Sequence, residues 1–295
     1  MISRLPIGIG VLTVILAGCN PNRQAAGPEY FKSVEAWQKH REDGLRKPDS
    51  WLTLVGLFWL KPGANTVGAG SSNDFVLPKG SAPERAGAFE LAGNTVTYTG
   101  SDKNKRTVDY DEEHPTVVRA GSVSMTVIKR KDRFGIRAKD SESPLLKNFK
   151  GTTFFPIDPE LHFTGRFLPD QKKIPILNIL GQTEMEISPG VVQFIYKGEK
   201  YKLRPIYEGK TLYFLFKDPT NKTETYQAGR MLNTPLPVNG KVDLDFNRSY
   251  NPPCIFTPYA TCPLPPKENS LPFPVTAGEK RYGNGHAEYP LSSSN

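Results

Sequence analysis

The polar groups best placed to act together fall late in the chain. Arg230 and Asp245 lie in adjacent strand-like runs, with Tyr226, Asn247, Tyr250 and Asn251 close by. A guanidinium, amide groups and aromatic faces are what a pocket for an anionic or sugar-like ligand offers. The same residues have a framework reading, in which a buried arginine meets a carboxylate and pins two strands bidentately. Asp243 and Asp245, and likewise Glu184 and Glu186, stand two apart and so share one face of a strand. Glycoside hydrolysis needs carboxylates ~5–9.5 Å apart, and such neighbours fall near the lower end, although solvated strands produce this spacing constantly. In a hydrolytic reading Asp245 is the acid/base or electrostatic group and Arg230 the substrate or oxyanion clamp. The chain has no Gly-x-Ser-x-Gly elbow and no Gly-x-x-x-x-Gly-Lys-Ser/Thr loop. No catalytic residue is therefore assigned, and no cofactor is expected. Cys254 and Cys262 have no second cysteine pair and no histidine near them in sequence, so no metal site is expected either.

The elements that must position these residues read as β-structure. The chain has 27 prolines and 26 glycines among 295 residues, with 16 Phe and 12 Tyr, a mix that suits short strands and many turns. One helix is expected, from Pro28 to Lys47. It has Pro and Glu29 at its start, Phe31, Val34, Trp37 and Leu45 in helical register, and Lys47-Pro48 as its stop. From Trp51 the helical period disappears, and strand-like runs separated by turn residues continue to Lys139, the spacing of a sandwich or barrel. Ser141–Lys150 is polar and marks a boundary. A second β series runs from His162 to Phe246, opening with four strand-like runs, His162–Leu168, Ile174–Ile179, Thr183–Ile187 and Val191–Tyr196. From Asn247 to Pro274 the proline density forbids helix and central strand, yet Phe256, Tyr259 and Phe273 argue against disorder. An ordered wrap on the second domain is expected. The reading is thus an all-β chain of two domains, 51–145 and 146–283, preceded by a tether and helix (20–50) and followed by a fraying end (284–295).

The first residues read as an export signal: Arg4, an apolar run from Leu5 to Leu16, then Ala17-Gly18-Cys19. The run is too short for the ~20 residues of a membrane-spanning helix. Leu16-Ala-Gly-Cys19 resembles the bacterial lipobox, which implies cleavage before Cys19 and acylation of its thiol. Asn20, where an inner-membrane retention signal would usually have Asp, favours the outer membrane. About 275 residues remain, enough for two domains. In an oxidising envelope the even pair Cys254 and Cys262 favours one disulfide, with two buried thiols as the alternative. The net charge of +8 raises nucleic acid as a partner. Its scatter along the chain and the export signal exclude that, leaving the membrane, through the anchor, and a small ligand, glycan or envelope protein. The densest run, Lys129-Arg-Lys-Asp-Arg133, sits where a hairpin tip falls and reads as a solvated turn, with a weak attraction to anionic lipid or polysaccharide as the second reading.

Two family resemblances follow. Asn65-Thr-Val-Gly68 through Asn73-Asp74-Phe-Val-Leu77 resembles the opening of a forkhead-associated domain, which implies a β-sandwich. The arginine that this family uses for phosphothreonine is replaced by Ala69, so phosphopeptide recognition is not implied. The second resemblance is more specific. It rests on Asp218-Pro-Thr220, Thr225-Tyr-Gln-Ala-Gly-Arg230, Asp245-Phe-Asn-Arg-Ser-Tyr-Asn-Pro-Pro-Cys254, Tyr259-Ala-Thr-Cys-Pro-Leu-Pro-Pro266, Glu268-Asn269 and Ala277-Gly-Glu279. Together with Trp51-Leu-Thr-Leu-Val-Gly-Leu-Phe-Trp59 these are similar to the DUF1684 family from Trp51 to Glu279, which implies a shared fold and no assigned activity. If Tyr226, Arg230, Asp245 and Asn247 converge on a concave, partly open surface, ligand binding or catalysis gains. If they are buried and mutually satisfied, the framework reading gains.

Overall fold

The computed structural model describes residues 27–111 and 114–283. Cys19, the rest of the signal and the end from 284 lie outside the described residues. Helix α1 (Pro28–Leu45) opens with Pro in its first turn, where no intrahelical N–H is needed, and Glu29 faces the positive end of its dipole. It stops two residues short of Lys47. Val34 and Leu45 are buried on its inner face, with Trp37 and Arg41 half-buried on the same stripe.

The molecule is all-β apart from this helix and a few short turns, with its own hydrophobic core in each of two domains and a further cluster where the tail meets α1. The first holds β1 (Leu54–Trp59), β2 (Gly63–Gly68), β3 (Phe75–Val76), β4 (Gly87–Ala92), β5 (Thr95–Gly100), β6 (Lys105–Thr107), β7 (Val118–Ala120), β8 (Val123–Arg130) and β9 (Arg133–Asp140). They form a sheet of order β1-β9-β8-β7 and a sheet of order β3-β2-β4-β5-β6. Alternating residues such as Val67, Phe89, Val96, Met125 and Ile136 fill the core. The Asn73-Asp74 pair works locally: Asn73 Nδ2 donates to the Gly70 and Glu84 carbonyls, and the Asp74 carboxylate accepts from Thr66.

A single helical turn, α2 (Pro144–Lys147), precedes the second set: β10 (His162–Leu177), β11 (Thr183–Tyr196), β12 (Glu199–Leu203), β13 (Ile206–Glu208), β14 (Thr211–Phe216), β15 (Arg230–Pro235) and β16 (Lys241–Asp245). Sheets of order β12-β11-β10-β16 and β13-β14-β15 enclose Phe163, Phe194, Phe214, Phe216 and Phe246. Four expected strands here are two long ones. The runs 162–168 and 174–179 fuse into β10, and 183–187 and 191–196 into β11, across a register shift between Pro169 and Lys172. Buried Arg204 holds this bulge together. Its Nη1 donates to the Asp170 carbonyl at 3.2 Å and to Ser188 Oγ at 3.3 Å, and its Nη2 pairs with the Asp170 carboxylate at 2.5 Å. Only glycine fits at position 190, where a Cβ would stand 2.4 Å from the Leu168 carbonyl oxygen.

The proline-dense tail is ordered and forms isolated bridges from Tyr250 to Met231 of β15, from Pro263 to Asn178 just past β10 and from Ser270 to Lys217 just past β14. Asn269 is its main fastener, donating through Nδ2 to the Arg204 and Leu215 carbonyls, 2.8 Å each. Cys254 and Cys262 form a disulfide. The wrap reaches beyond the second domain: Cys254, Ile255, Phe256 and Ala260 share a core with Leu45 of α1 and with Leu52 and Leu54. Thr257 Oγ1 donates to the Leu54 carbonyl at 3.0 Å.

Candidate functional site

Arg230 is the first residue of β15, and its side chain has no exposed surface. Its partner is Asp218, not Asp245: Nη2 approaches both Asp218 oxygens at 3.3 Å. The guanidinium also donates to the Val275 carbonyl at 2.7 Å and the Ala277 carbonyl at 2.5 Å. Burial pulls the Arg230 pKa down, and Asp218 opposes that pull. Asp218 in turn accepts from Thr220 Oγ1 at 2.7 Å and from the Val275 N–H at 2.9 Å. Tyr226, 3 % exposed, lies in the core that the disulfide shares with α1.

Asp245 and Asn247 lie elsewhere, under the start of α1. Asp245 Oδ1 accepts from the Tyr30 hydroxyl, from the Asn247 N–H and from Asn247 Nδ2, each at 3.0 Å, while Oδ2 meets Arg248 Nε at 3.2 Å. Burial first, and the Asp245 charge second, raise the Tyr30 hydroxyl well above its ordinary pKa. The four residues of the convergence test are therefore buried in two separate places and held by internal partners, with the Arg230 Nε left without a hydrogen-bond partner among the described residues. Asp243, beside them, binds His162 Nε2 at 2.5 Å.

Tyr250 and Asn251 are different, because they wall a cavity of about 800 Å³. The cavity lies between the two domains. The β8–β9 hairpin and Trp51 wall one side, Glu208, Tyr213 and Met231 the other, and the tail from Tyr250 to Pro263 closes the base. Arg41 of α1 supplies its innermost cation. Its Nε donates to Glu279 at 2.8 Å, Nη2 donates to the Asn251 carbonyl at 3.1 Å, and the guanidinium lies 4.8 Å from the Tyr250 ring centre. Glu279 is wholly buried and its second oxygen takes the Asn251 N–H at 2.7 Å. Asn251 Nδ2 donates to the Lys280 carbonyl, which leaves its buried Oδ1 without a hydrogen-bond partner among the described residues. The Tyr250 hydroxyl donates to Asn233 Oδ1. Burial raises the pKa of both Tyr250 and Tyr213, so both present neutral hydroxyls.

Opposite them, Arg137 lies 5.2 Å from the Trp51 ring, and Lys129 Nζ lies 5.7 Å from the Tyr110 ring. With Arg130 the cavity has three cations against Asp111 and Glu208, beside Arg41, whose charge Glu279 pairs. Lys129 and Arg130 thus line the cavity, and only the middle of the basic run forms the solvated turn read from sequence. Aromatic faces next to cations in a space of this size can bind an anion that carries a flat or ring-shaped body. Among the described residues no group of His, Cys, Asp or Glu is arranged to hold a metal ion.

Sequence reasoning missed Arg41, Trp51, Tyr110, Arg137 and Tyr213. Arg41 left a signal, a cation on the stripe of Val34, Trp37 and Leu45 that the helix buries. The others come from strands and loops of two domains, and nothing local marks their meeting.

No curated protein matches the chain. Among solved structures, an uncharacterized protein of Haloarcula marismortui determined by solution NMR is 28% identical, with a TM-score of 0.39 over 45% of this chain and 78% of that one. Residues 147–280 match the family model described as "Protein of unknown function (DUF1684)". The match spans the second β domain together with the tail that floors the cavity.

Proposed function

We propose that the protein is a lipid-anchored envelope protein that binds a small anionic ligand with a ring-shaped body, such as an acidic sugar, between its two domains. The cavity carries this reading. It falls in the ~300–1,000 Å³ range of small-molecule sites and combines aromatic faces with a cationic excess. The unsatisfied Asn251 Oδ1 adds an acceptor that a ligand hydroxyl could fill. Binding is favoured over hydrolysis because Asp245 accepts from Tyr30, Asn247 and Arg248, and Arg230 is fully buried with both Nη groups committed to Asp218 and the Val275 and Ala277 carbonyls. The export signal and lipobox-like Cys19 support the location.

A thermal-shift screen of acidic sugars, their neutral counterparts and nucleotides tests the proposal, with Trp51→Leu and Lys129→Gln alongside. A ligand at ~100 times its Kd stabilises the fold by about 2.7 kcal/mol. The expected result is a shift for anionic sugars that both variants reduce. Equal shifts for charged and neutral sugars, or none for any anion, would overturn it.

A further inference from the structure

We infer that the outward face of the β12-β11-β10-β16 sheet docks on an anionic lipid surface beside the anchor. The inference rests on the anchor expected at Cys19 for its geometry, and on the sheet for its chemistry. Strand residues alternate between faces. Since Phe163, Phe194, Val242 and Leu244 point into the core, His162, Thr164 and Arg166, Gln193, Lys200 and Lys202, and Lys241 and Asp243 point outward.

Register then lines up Lys241, Arg166, Gln193 and Lys202 side by side across four strands, a row ~14 Å wide at ~4.8 Å per strand. Lys200 stands in the next row. The four cations are exposed, and none forms an ion pair among the described residues. Arg166 and Lys241 are direct cross-strand partners, an arrangement that like charges disfavour. A framework role does not account for it, whereas an anionic surface would relieve it. Asp243, the acid beside this row, is already held by His162.

The start of α1 lies on the same face. The Tyr30 ring stacks on His162 with centres 4.9 Å apart, its hydroxyl reaches Asp245, and Arg248 Nη2 donates to Ser33 Oγ at 2.9 Å. Arg166 is four residues along β10 from His162, ~13 Å away. The eight residues from Asn20 to Gly27 can span at most ~30 Å, so the acyl chains must enter the bilayer within tether reach of the basic row. Phe31, 37% exposed in the first turn of α1, adds an aromatic group of the kind that settles at a lipid interface. No described helix is long and apolar enough to cross a membrane, so contact on this side is peripheral.

The test begins with the intact mass of the protein purified from membranes, which reports acylation at Cys19. The acylated protein, labelled with a fluorophore at Gln193→Cys or at Val76→Cys of β3, is placed in vesicles of phosphatidylcholine alone or mixed with phosphatidylglycerol. Quenching by a headgroup-attached acceptor is then read. The expected result is quenching at position 193 on phosphatidylglycerol vesicles, weak on phosphatidylcholine and absent at position 76. Each basic residue near an anionic surface shifts the docked-to-undocked ratio about fivefold, so Arg166→Gln with Lys202→Gln should lower it about 25-fold. Molar salt, with a Debye length of ~3 Å, should abolish docking. Equal quenching on both vesicle types, or no effect of the double substitution, overturns the inference. If the mass shows no acyl chains, the anchor reading fails by itself. Cosedimentation of the same protein with the two vesicle types then decides the face: selective binding to phosphatidylglycerol supports it, and none overturns it.

Discussion

Replacing Asp218 by Asn would leave the Arg230 guanidinium charged in a site where its side chain has no exposed surface. The approaches to both Asp218 oxygens at 3.3 Å would lose their charge, and Thr220 Oγ1 and the Val275 N–H would compete for a poorer acceptor. Breaking a buried pair from one side costs about 3–5 kcal/mol, most of it the desolvation of the abandoned charge. In a chain of this size that corresponds to a fall in Tm of roughly 6–20 °C. Arg230→Met should cost a similar amount, because the carboxylate then stays buried and the Val275 and Ala277 carbonyls lose their donors. Combining the two removes both charges, so the double variant should be less destabilised than the sum of the singles by at least ~2 kcal/mol. Urea unfolding followed by fluorescence, with midpoint and slope read separately, measures all three. The reasoning is refuted if Arg230→Met unfolds within ~0.5 kcal/mol of the wild type, the range of substitutions remote from any such feature. Retained stability with loss of ligand binding would instead make Arg230 a ligand clamp.

Three further outcomes are expected. Reducing the Cys254–Cys262 bond opens a loop with sequence separation 8; chain entropy for a loop that short is worth about 2.5 kcal/mol, read as a lower urea midpoint in reductant. Tyr30, Tyr213 and Tyr250 all have pKa values raised by burial above the ordinary 10.0. Their contribution is therefore complete below pH ~10 and is lost as the pH climbs toward their folded-state values, because the unfolded chain sheds protons that the native state retains. Stability followed from neutral to strongly alkaline pH should be level and then fall, with a smaller slope in Tyr30→Phe. Gly278 has φ +77°, and a Cβ there would meet Ser249 Oγ at 2.3 Å and the Ser249 carbonyl oxygen at 2.4 Å. Gly278→Ala should cost more than ~2 kcal/mol in the same unfolding assay, since strain and overpacking add.

What could be read from the sequence follows the range of the interaction concerned. The alternation of apolar residues depends only on neighbours two apart, which is why the two β series were visible without a structure. The tail was legible for a related reason: prolines forbid regular hydrogen bonding, while Phe256 and Phe273 require burial, and an ordered wrap satisfies both. The fusion of β10 was not legible. It depends on Arg204, some thirty residues further along, filling the Asp170 carbonyl and pairing the Asp170 carboxylate at the bulge. Nor could the partner of Arg230 be chosen by spacing, because Asp218 and Asp245 are both near it in sequence. The fold decides between them by which strand end turns inward.

The same logic explains why the charged face and the cavity differ in kind. Arg230, Arg204 and Arg41 are each enclosed by carbonyls and a carboxylate, so their charges are spent on holding strand ends, a bulge and the tail in place. Arg166, Lys200, Lys202 and Lys241 have no such enclosure, and one pair of them opposes like charge across a strand boundary. Net charge alone, spread over the whole chain, cannot separate these two groups. Register can, because it decides which cations meet a carboxylate and which meet one another. The residues that meet one another lie on the side where α1 begins, and the anchor would hold that side toward lipid. The cavity lies at the far end of α1, where Arg41 meets Glu279 and Tyr250. Arg41 lies thirteen residues after the start of α1 at Pro28, ~20 Å along its axis, so the helix would separate the membrane-facing surface from the cavity by about that distance. A ligand could then enter from the aqueous side while the sheet rests on the bilayer.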